Sequence, residues 1–219
     1  EARRLALASH RPDLLGLSHI QEGNVHARCA DWKAAVDASG QALRYADRLS
    51  PQGRYAAHLN RGLAYLSLLR FGAARGDLEE ALRLAGAEGR VDREFKALHN
   101  LGCLAYAEGD LPRALQLMDH ADSLPADVSR ARARLDHAQV FIEAGLVDRA
   151  RALLEDAFAA ARAERLQIEA GEISLGLGRC ALLDGDLRAA RRHTGAAIRA
   201  YQSRATEERR ATAELLRAQ

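Results

Sequence analysis

The side chains that carry most enzymatic chemistry are scattered along this 219-residue sequence without forming a motif. None of the eight histidines belongs to a His-Glu-x-x-His pair, and the three cysteines, Cys29, Cys103 and Cys180, are far apart. Metal centres usually draw on closely spaced histidines and cysteines. The spacing therefore predicts no metal site, and it predicts packed, inert thiols at Cys103 and Cys180.

Phosphate chemistry also lacks its usual sequence pattern. The nearest approach to a glycine-rich loop is Gly171, Gly176 and Gly178, which lie in an apolar pattern of helical period and follow no strand. A dinucleotide fingerprint needs a strand before the glycines and a helix after them. Adjacent acids such as Glu79 and Glu80 fit a solvated helix face. We predict no catalytic residue, no cofactor and no enzymatic activity.

The elements that must position any functional side chain are indicated by a recurring trio of small residues. The gaps within each trio are twelve and seven residues, and the trios return every 36 to 40 residues. The five trios are Gly23/Ala35/Ala42, Gly62/Ala74/Ala81, Gly102/Ala114/Ala121, Ala138/Ala150/Ala157 and Gly178/Ala190/Ala197. Small residues let two antiparallel helices approach closely, and a repeat of this length is typical of a helical array.

The turn between the two helices of each repeat is equally regular. Gly109-Asp110 and Gly185-Asp186 each supply a glycine for a left-handed turn and an aspartate to cap the next helix. Pro112 then falls in the first turn of its helix, and Ser50-Pro51 and Leu124-Pro125 indicate boundaries between repeats. The pattern predicts an all-α chain.

These residues resemble the tetratricopeptide repeat, whose pattern is matched by Leu101-Gly102, Tyr106, Gly109-Asp110, Ala114, Ala121 and Pro125. Arg61 departs from it, since leucine is usual before the glycine. The resemblance implies one domain over residues 1–219, a right-handed α-solenoid of five repeats with a partial helix at each end. The expected repeats are 14–50, 51–89, 90–125, 126–165 and 166–203, followed by a capping helix over 204–219.

Composition limits the partners. The net charge is +2, whereas a nucleic-acid surface needs a clustered excess of cations. No apolar run is long enough to span a membrane. Isolated cysteines favour a cytoplasmic protein. We therefore expect no nucleic acid and no membrane as partners.

Apolar residues near both termini, Leu5/Leu7 and Leu215/Leu216, allow a homodimer through the solenoid ends.

The resemblance also implies a groove lined by the first helix of each repeat. The groove positions are Leu17, Ile20, Gln21, Asn24, Ala27 and Arg28; Ala56, Leu59, Asn60, Leu63, Leu66 and Ser67; Lys96, His99, Asn100, Cys103, Tyr106 and Ala107; Arg132, Leu135, Asp136, Gln139, Ile142 and Glu143; and Glu172, Leu175, Gly176, Arg179, Leu182 and Leu183. The candidate binding residues among them are Asn24, Arg28, Asn60, Leu63, Lys96, His99, Asn100, Tyr106, Arg132, Gln139 and Arg179.

Asparagines give this groove its clearest chemistry. Asn24, Asn60 and Lys96 coincide with places where chaperone-binding members of the family hold a peptide's terminal carboxylate, but two cationic places hold Ile20 and Asn100 instead. A free carboxylate would be poorly neutralised there. A carboxamide can still pair both the N–H and the C=O of an extended peptide. We expect Asn60 and Asn100 either to contact a bound segment or to pair with neighbouring helices or water.

A narrower resemblance concerns the stretch from about His99 to Tyr201. Segments such as Gly109-Asp-Leu-Pro-Arg-Ala-Leu and Asp184-Gly-Asp-Leu-Arg-Ala-Ala-Arg are similar to the repeat region of actinobacterial CHAT proteins, which precedes a caspase-like domain. We expect a non-enzymatic scaffold that binds a protein or peptide, cut from a larger bacterial protein, since the chain lacks an initiating methionine. The alternatives are a sensor domain of a transcriptional regulator and the regulatory arm of a CHAT-type protease.

Overall fold

The computed structural model describes residues 11–202, which form ten α-helices and one short 3-10 helix without any strand. The all-α prediction is confirmed. The helices are α1 Pro12–Arg28, α2 Trp32–Leu43, α3 Pro51–Ser67, α4 Phe71–Ala87, α5 Val91–Ala107, α6 Leu111–Ser123, α7 Ala131–Glu143, α8 Val147–Ala163, α9 Gln167–Leu183 and α10 Leu187–Gln202. The 3-10 helix is Ala46–Arg48. The partial first helix, the capping helix over 204–219 and the terminal leucines lie outside the described residues.

The chain divides into two compact units, Glu1–Asp127 and Val128–Gln219. The described part of the first unit consists of the helix pairs α1/α2, α3/α4 and α5/α6, and each pair packs against the next. The described part of the second unit consists of α7/α8 and α9/α10, arranged in the same way. The single domain over residues 1–219 and the repeat boundaries stay predictions.

All fifteen small residues of the five trios are buried, which confirms why they recur. A Cβ atom placed on Gly102 would lie 2.6 Å from Cγ of Met118 and 3.4 Å from the carbonyl oxygen of Ala114. Real Cβ atoms essentially never approach another heavy atom within 3 Å, so the two helices of this pair touch at backbone distance. Small residues at these positions therefore decide how closely each pair packs.

Turn and cap chemistry also follows the sequence. Gly109, Gly145 and Gly185 have positive φ angles of 83°, 75° and 77°, the left-handed conformation that glycine adopts without strain. The Asp110 carboxylate then accepts a hydrogen bond from the Arg113 backbone N–H at 3.1 Å. These interactions satisfy polar groups that a helix end would otherwise leave exposed.

Candidate functional site

In the first unit, the odd-numbered helices α1, α3 and α5 are neighbours, because α3 contacts both α1 and α5. Eight predicted binding residues lie on these three helices, and every one of them is at least partly exposed. They are Asn24, Arg28, Asn60, Leu63, Lys96, His99, Asn100 and Tyr106. We call this set the first-unit face.

Asn24 and Asn60 join two of these helices. The Asn60 Nδ2 group donates a hydrogen bond to Asn24 Oδ1 at 2.7 Å, from α3 to α1. The bond uses one of the two Asn60 N–H groups and one lone pair of Asn24. The Asn60 carbonyl and the Asn24 amide N–H groups therefore keep hydrogen-bonding capacity toward a molecule on this face.

Asn100 is engaged differently. Its Nδ2 group donates to the backbone carbonyl of Lys96 at 2.8 Å, one turn earlier in the same helix. His99 lies beside it, with its ring stacked at 8° to the ring of Phe95 and its Nε2 atom 3.5 Å from Cys103 Sγ. The sequence predicts the same two alternatives for Asn60 and Asn100, but among residues 11–202 only Asn60 of the two pairs with another helix.

Charge on the first-unit face is of one sign. The groove positions of α1, α3 and α5 include Arg28 and Lys96 but no Asp or Glu. Both cationic side chains are exposed, and neither forms an ion pair with a residue in the described part of the chain. This face therefore presents cations and carboxamides without internal acids to neutralise them.

In the second unit, the corresponding positions of α7 and α9 are already paired. The Arg132 guanidinium lies 3.2 Å from Glu172 on α9 and 3.3 Å from Asp136 on its own helix. Arg179 donates to Gln139 Oε1 and lies 3.6 Å from the Glu143 carboxylate.

Gln139 in turn donates to Glu143 at 2.7 Å. The predicted residues Arg132, Gln139 and Arg179 thus join α7 to α9 through two separate groups of ion pairs and hydrogen bonds, so the charges of the arginines are offset within the unit.

The sequence did not predict a buried ionic cluster between α3 and α4. Asp77 is 5% exposed. Its Oδ1 atom lies 2.8 Å from both His58 Nδ1 and an Arg61 N–H group, and its Oδ2 accepts from Arg61 Nε at 2.7 Å. Burial by itself raises the pKa of Asp77, but the hydrogen bonds from His58 and Arg61 outweigh burial and hold that pKa below its ordinary value.

Both oxygens of Asp77 are therefore occupied by partners from the same helix pair, which favours a structural cross-link over acid–base catalysis. The only signal in the sequence was Arg61, the residue that departs from the leucine usual at that place. Nothing in the sequence indicated that His58 and Asp77 would meet it.

The three cysteines are free and differ in accessibility. Cys29 is exposed, Cys103 is half-buried and Cys180 is fully buried. Burial raises the pKa of the Cys180 thiol, which disfavours the reactive thiolate. This environment is that of an inert core residue. Within residues 11–202, no helix is both long and apolar enough to cross a membrane.

No protein-family model and no curated protein matches this chain. Several solved structures match it. BtubC from P. vanneervenii is 21% identical with a TM-score of 0.67, over 92% of this chain and 86% of its own. TTC0263, a tetratricopeptide protein of Thermus thermophilus, is 18% identical with a TM-score of 0.68, over 93% and 100%.

The fold is that of a tetratricopeptide α-solenoid. A third neighbour is YrrB, a tetratricopeptide protein with an unusual peptide-binding site, which is 17% identical with a TM-score of 0.56 over 98% of each chain. Identities this low show the fold, and the helix pairs seen in each unit agree with it.

Proposed function

We propose that this protein is a non-enzymatic scaffold that binds a protein or peptide, and that the first-unit face takes an extended segment rich in Asp and Glu. The observation that carries the proposal is the charge of that face. Arg28 and Lys96 are exposed without an ion-pair partner in the described chain, and no acid occupies a groove position of α1, α3 or α5.

The chemistry of the face matches an extended peptide. The Asn60 carbonyl and the Asn24 amide can pair with a peptide N–H and C=O, because their mutual bond leaves both groups with spare capacity. Leu63 and Tyr106 are half-buried and offer apolar area between the polar groups. Cations around the carboxamides then favour acidic side chains through charge-assisted hydrogen bonds.

The second-unit residues Arg132, Gln139 and Arg179 stay predicted binding residues of their own unit, separate from the first-unit face. Each already has a partner within that unit, so a bound peptide must replace existing interactions before it gains new ones. YrrB supports peptide binding as an activity that this fold can perform, since its own peptide-binding site is part of its description.

The test is a display library of extended peptides of equal length, selected on the purified chain and then measured individually by fluorescence polarisation. We expect enrichment of Asp and Glu and an affinity that falls as salt is added. Arg28→Gln with Lys96→Gln should weaken binding about a hundredfold, roughly tenfold for each charge-assisted hydrogen bond removed. Asn60→Ala should weaken it because the pairing with the peptide backbone is removed.

Arg113→Gln is the matched control, because Arg113 is equally exposed but lies on the even-numbered helix α6. It should leave affinity unchanged. Selection of peptides without acidic enrichment, or equal affinities for the control and the Arg28/Lys96 variant, would contradict the proposal.

We also propose that the scaffold works in the cytoplasm as the regulatory part of a larger bacterial protein. The similarity of the segments around Gly109 and Asp184 to CHAT-protein repeats supports the larger protein, and three free cysteines support the cytoplasm. The coding sequence on either side tests this role. A caspase-like domain downstream supports a protease arm, whereas a helix-turn-helix domain supports a transcriptional regulator. Neighbouring stop codons on both sides would overturn it.

A further inference from the structure

The second unit contains a cavity of about 350 Å³ that belongs to no predicted site. It lies between the C-terminal halves of α8 and α10, and residues from the first half of α9 also line it. Its apolar lining includes Phe158, Ala161, Ala196 and Ala200, and the side chains of Arg162 and Arg165 complete one side. Small-molecule sites begin at about 300 Å³, so this volume admits a small ligand.

Some positions that line the cavity carry smaller residues than the matching positions of another repeat. The third and fifth repeats share their small-residue register when one is displaced by 76 positions, from Gly102 to Gly178. Three residues that line the cavity have larger counterparts at the equivalent places: Ser174 for Leu98, Ala196 for His120 and Ala200 for Leu124. Leu98 is buried and Leu124 is half-buried, so the smaller Ser174 and Ala200 leave space that larger side chains occupy in the third repeat, whereas His120 is exposed.

The same comparison shows where the charge comes from. A displacement of 76 positions relates Arg162 and Arg165 to Gly86 and Gly89 of the second repeat. Arg165 has a φ angle of +59°, close to the +62° of Gly89. An arginine at such a φ costs backbone energy that glycine avoids. The chain therefore carries a cation at a place where glycine would be the more stable choice.

Neither arginine is neutralised within the described chain. Among residues 11–202, Arg162 and Arg165 have no ion-pair partner, and no Asp or Glu of that range lines the cavity. The Arg162 guanidinium carbon lies 6.0 Å from the centre of the Phe158 ring, at the side of the apolar lining. An apolar floor with two cations beside it is complementary to a ligand with an apolar body and one negative charge.

We propose that this cavity binds a small free organic acid, with its apolar body against Phe158 and the alanines and its carboxylate beside Arg162 and Arg165. The proposal depends on the second unit alone and is independent of peptide binding by the first-unit face.

The probe is anilinonaphthalene sulfonate, a fluorescent anion with an aromatic body, titrated into the full chain. We expect saturable one-to-one binding and displacement by naphthoate, with naphthamide, its neutral counterpart of similar shape, at least about tenfold weaker. Absence of saturable binding, or equal displacement by acid and amide, would overturn the proposal.

Two variants separate a binding role from a structural one. Arg165→Gly should weaken the dye about tenfold while the melting temperature stays the same or rises, because glycine relieves the positive φ. The refilled variant Ser174→Leu/Ala196→His/Ala200→Leu restores the side chains of the third repeat and should abolish binding in a folded chain. Arg191→Gln on the exposed side of α10 is the matched control and should change nothing.

If Arg165→Gly and the control bind the dye equally, the arginine has no role and the proposal fails. Retained binding in the refilled variant would place the dye elsewhere and would equally overturn it. Binding of acidic peptides by the first-unit face should be unaffected by all three variants, so the two proposals can fail separately.

Discussion

Replacing Gly62 by alanine should leave the protein less stable than the same substitution at an uncrowded glycine, although alanine is the better helix former at both. The new Cβ atom would lie 2.9 Å from both Cδ2 and Cγ of Leu78 and 3.3 Å from Cβ of Asp77. Leu78 is completely buried, so its side chain cannot move into solvent to make room. Either α3 and α4 separate slightly along their length or Leu78 leaves its preferred rotamer.

The magnitude follows from a matched pair of substitutions. Gly76 lies in the interior of α4, and a Cβ atom there meets nothing within 4 Å. Both substitutions gain about 1 kcal/mol of helix propensity, whereas only Gly62→Ala loses about 1–3 kcal/mol to overpacking. Gly76→Ala should therefore raise the free energy of unfolding by about 1 kcal/mol. Gly62→Ala should fall about 1–3 kcal/mol below that control.

Urea unfolding followed by far-UV circular dichroism measures both values. Leu78→Ala provides the internal check, because it removes the atoms that Gly62→Ala would contact. Leu78→Ala alone should cost about 2–5 kcal/mol, and in its background Gly62→Ala should become neutral or stabilising. If Gly62→Ala stabilises the wild type as much as Gly76→Ala does, the reasoning that small residues set the helix spacing is wrong.

Three further predictions concern buried polar groups. Asp77→Asn should lower the free energy of unfolding by about 3 kcal/mol at neutral pH, because Arg61 loses its buried partner. The pKa of Asp77 is lowered in the folded state, so its contribution is present above the ordinary carboxyl pKa and is lost in acid. The gap between wild type and variant in urea unfolding should therefore shrink below about pH 4, and a constant gap would contradict this. Ser39→Ala should raise the free energy of unfolding by about 1 kcal/mol, since the Ser39 hydroxyl is fully buried without a hydrogen-bond partner among residues 11–202; a loss of stability would show an unrecognised bond. Cys29 should react at once with a thiol reagent, whereas Cys180 should react only when the protein unfolds. Mass spectrometry follows both reactions, and equal rates would contradict the burial of Cys180.

The fold was predictable from the sequence because it depends on a periodic pattern. Where a helix crosses its neighbour, only a small residue fits, and this requirement recurs at the same spacing in each repeat. The Gly-Asp turns are equally local, since φ preference and helix capping involve residues a few positions apart. Such information is complete within a single repeat.

The candidate site was predictable only as a set of positions. The sequence placed Asn24, Asn60 and Asn100 on one face, but whether each pairs across helices or within its own helix depends on atoms from different repeats. The Asp77 cluster escaped prediction although its members lie in one repeat, because only the packing of α3 on α4 brings His58 and Asp77 together.

By itself, therefore, the sequence determined the helix pairs, their turns and the residues at which they touch, because these follow from spacing along one chain. The tertiary structure alone decided which charges are neutralised and where space is left between helices. Within the part of the chain that the structure describes, Arg132 and Arg179 have ion-pair partners and Arg28 and Arg162 have none, and Ser174 lines a cavity. Hydrogen bonds and cavities need several side chains within a few ångströms, and only the packed helices bring those side chains together.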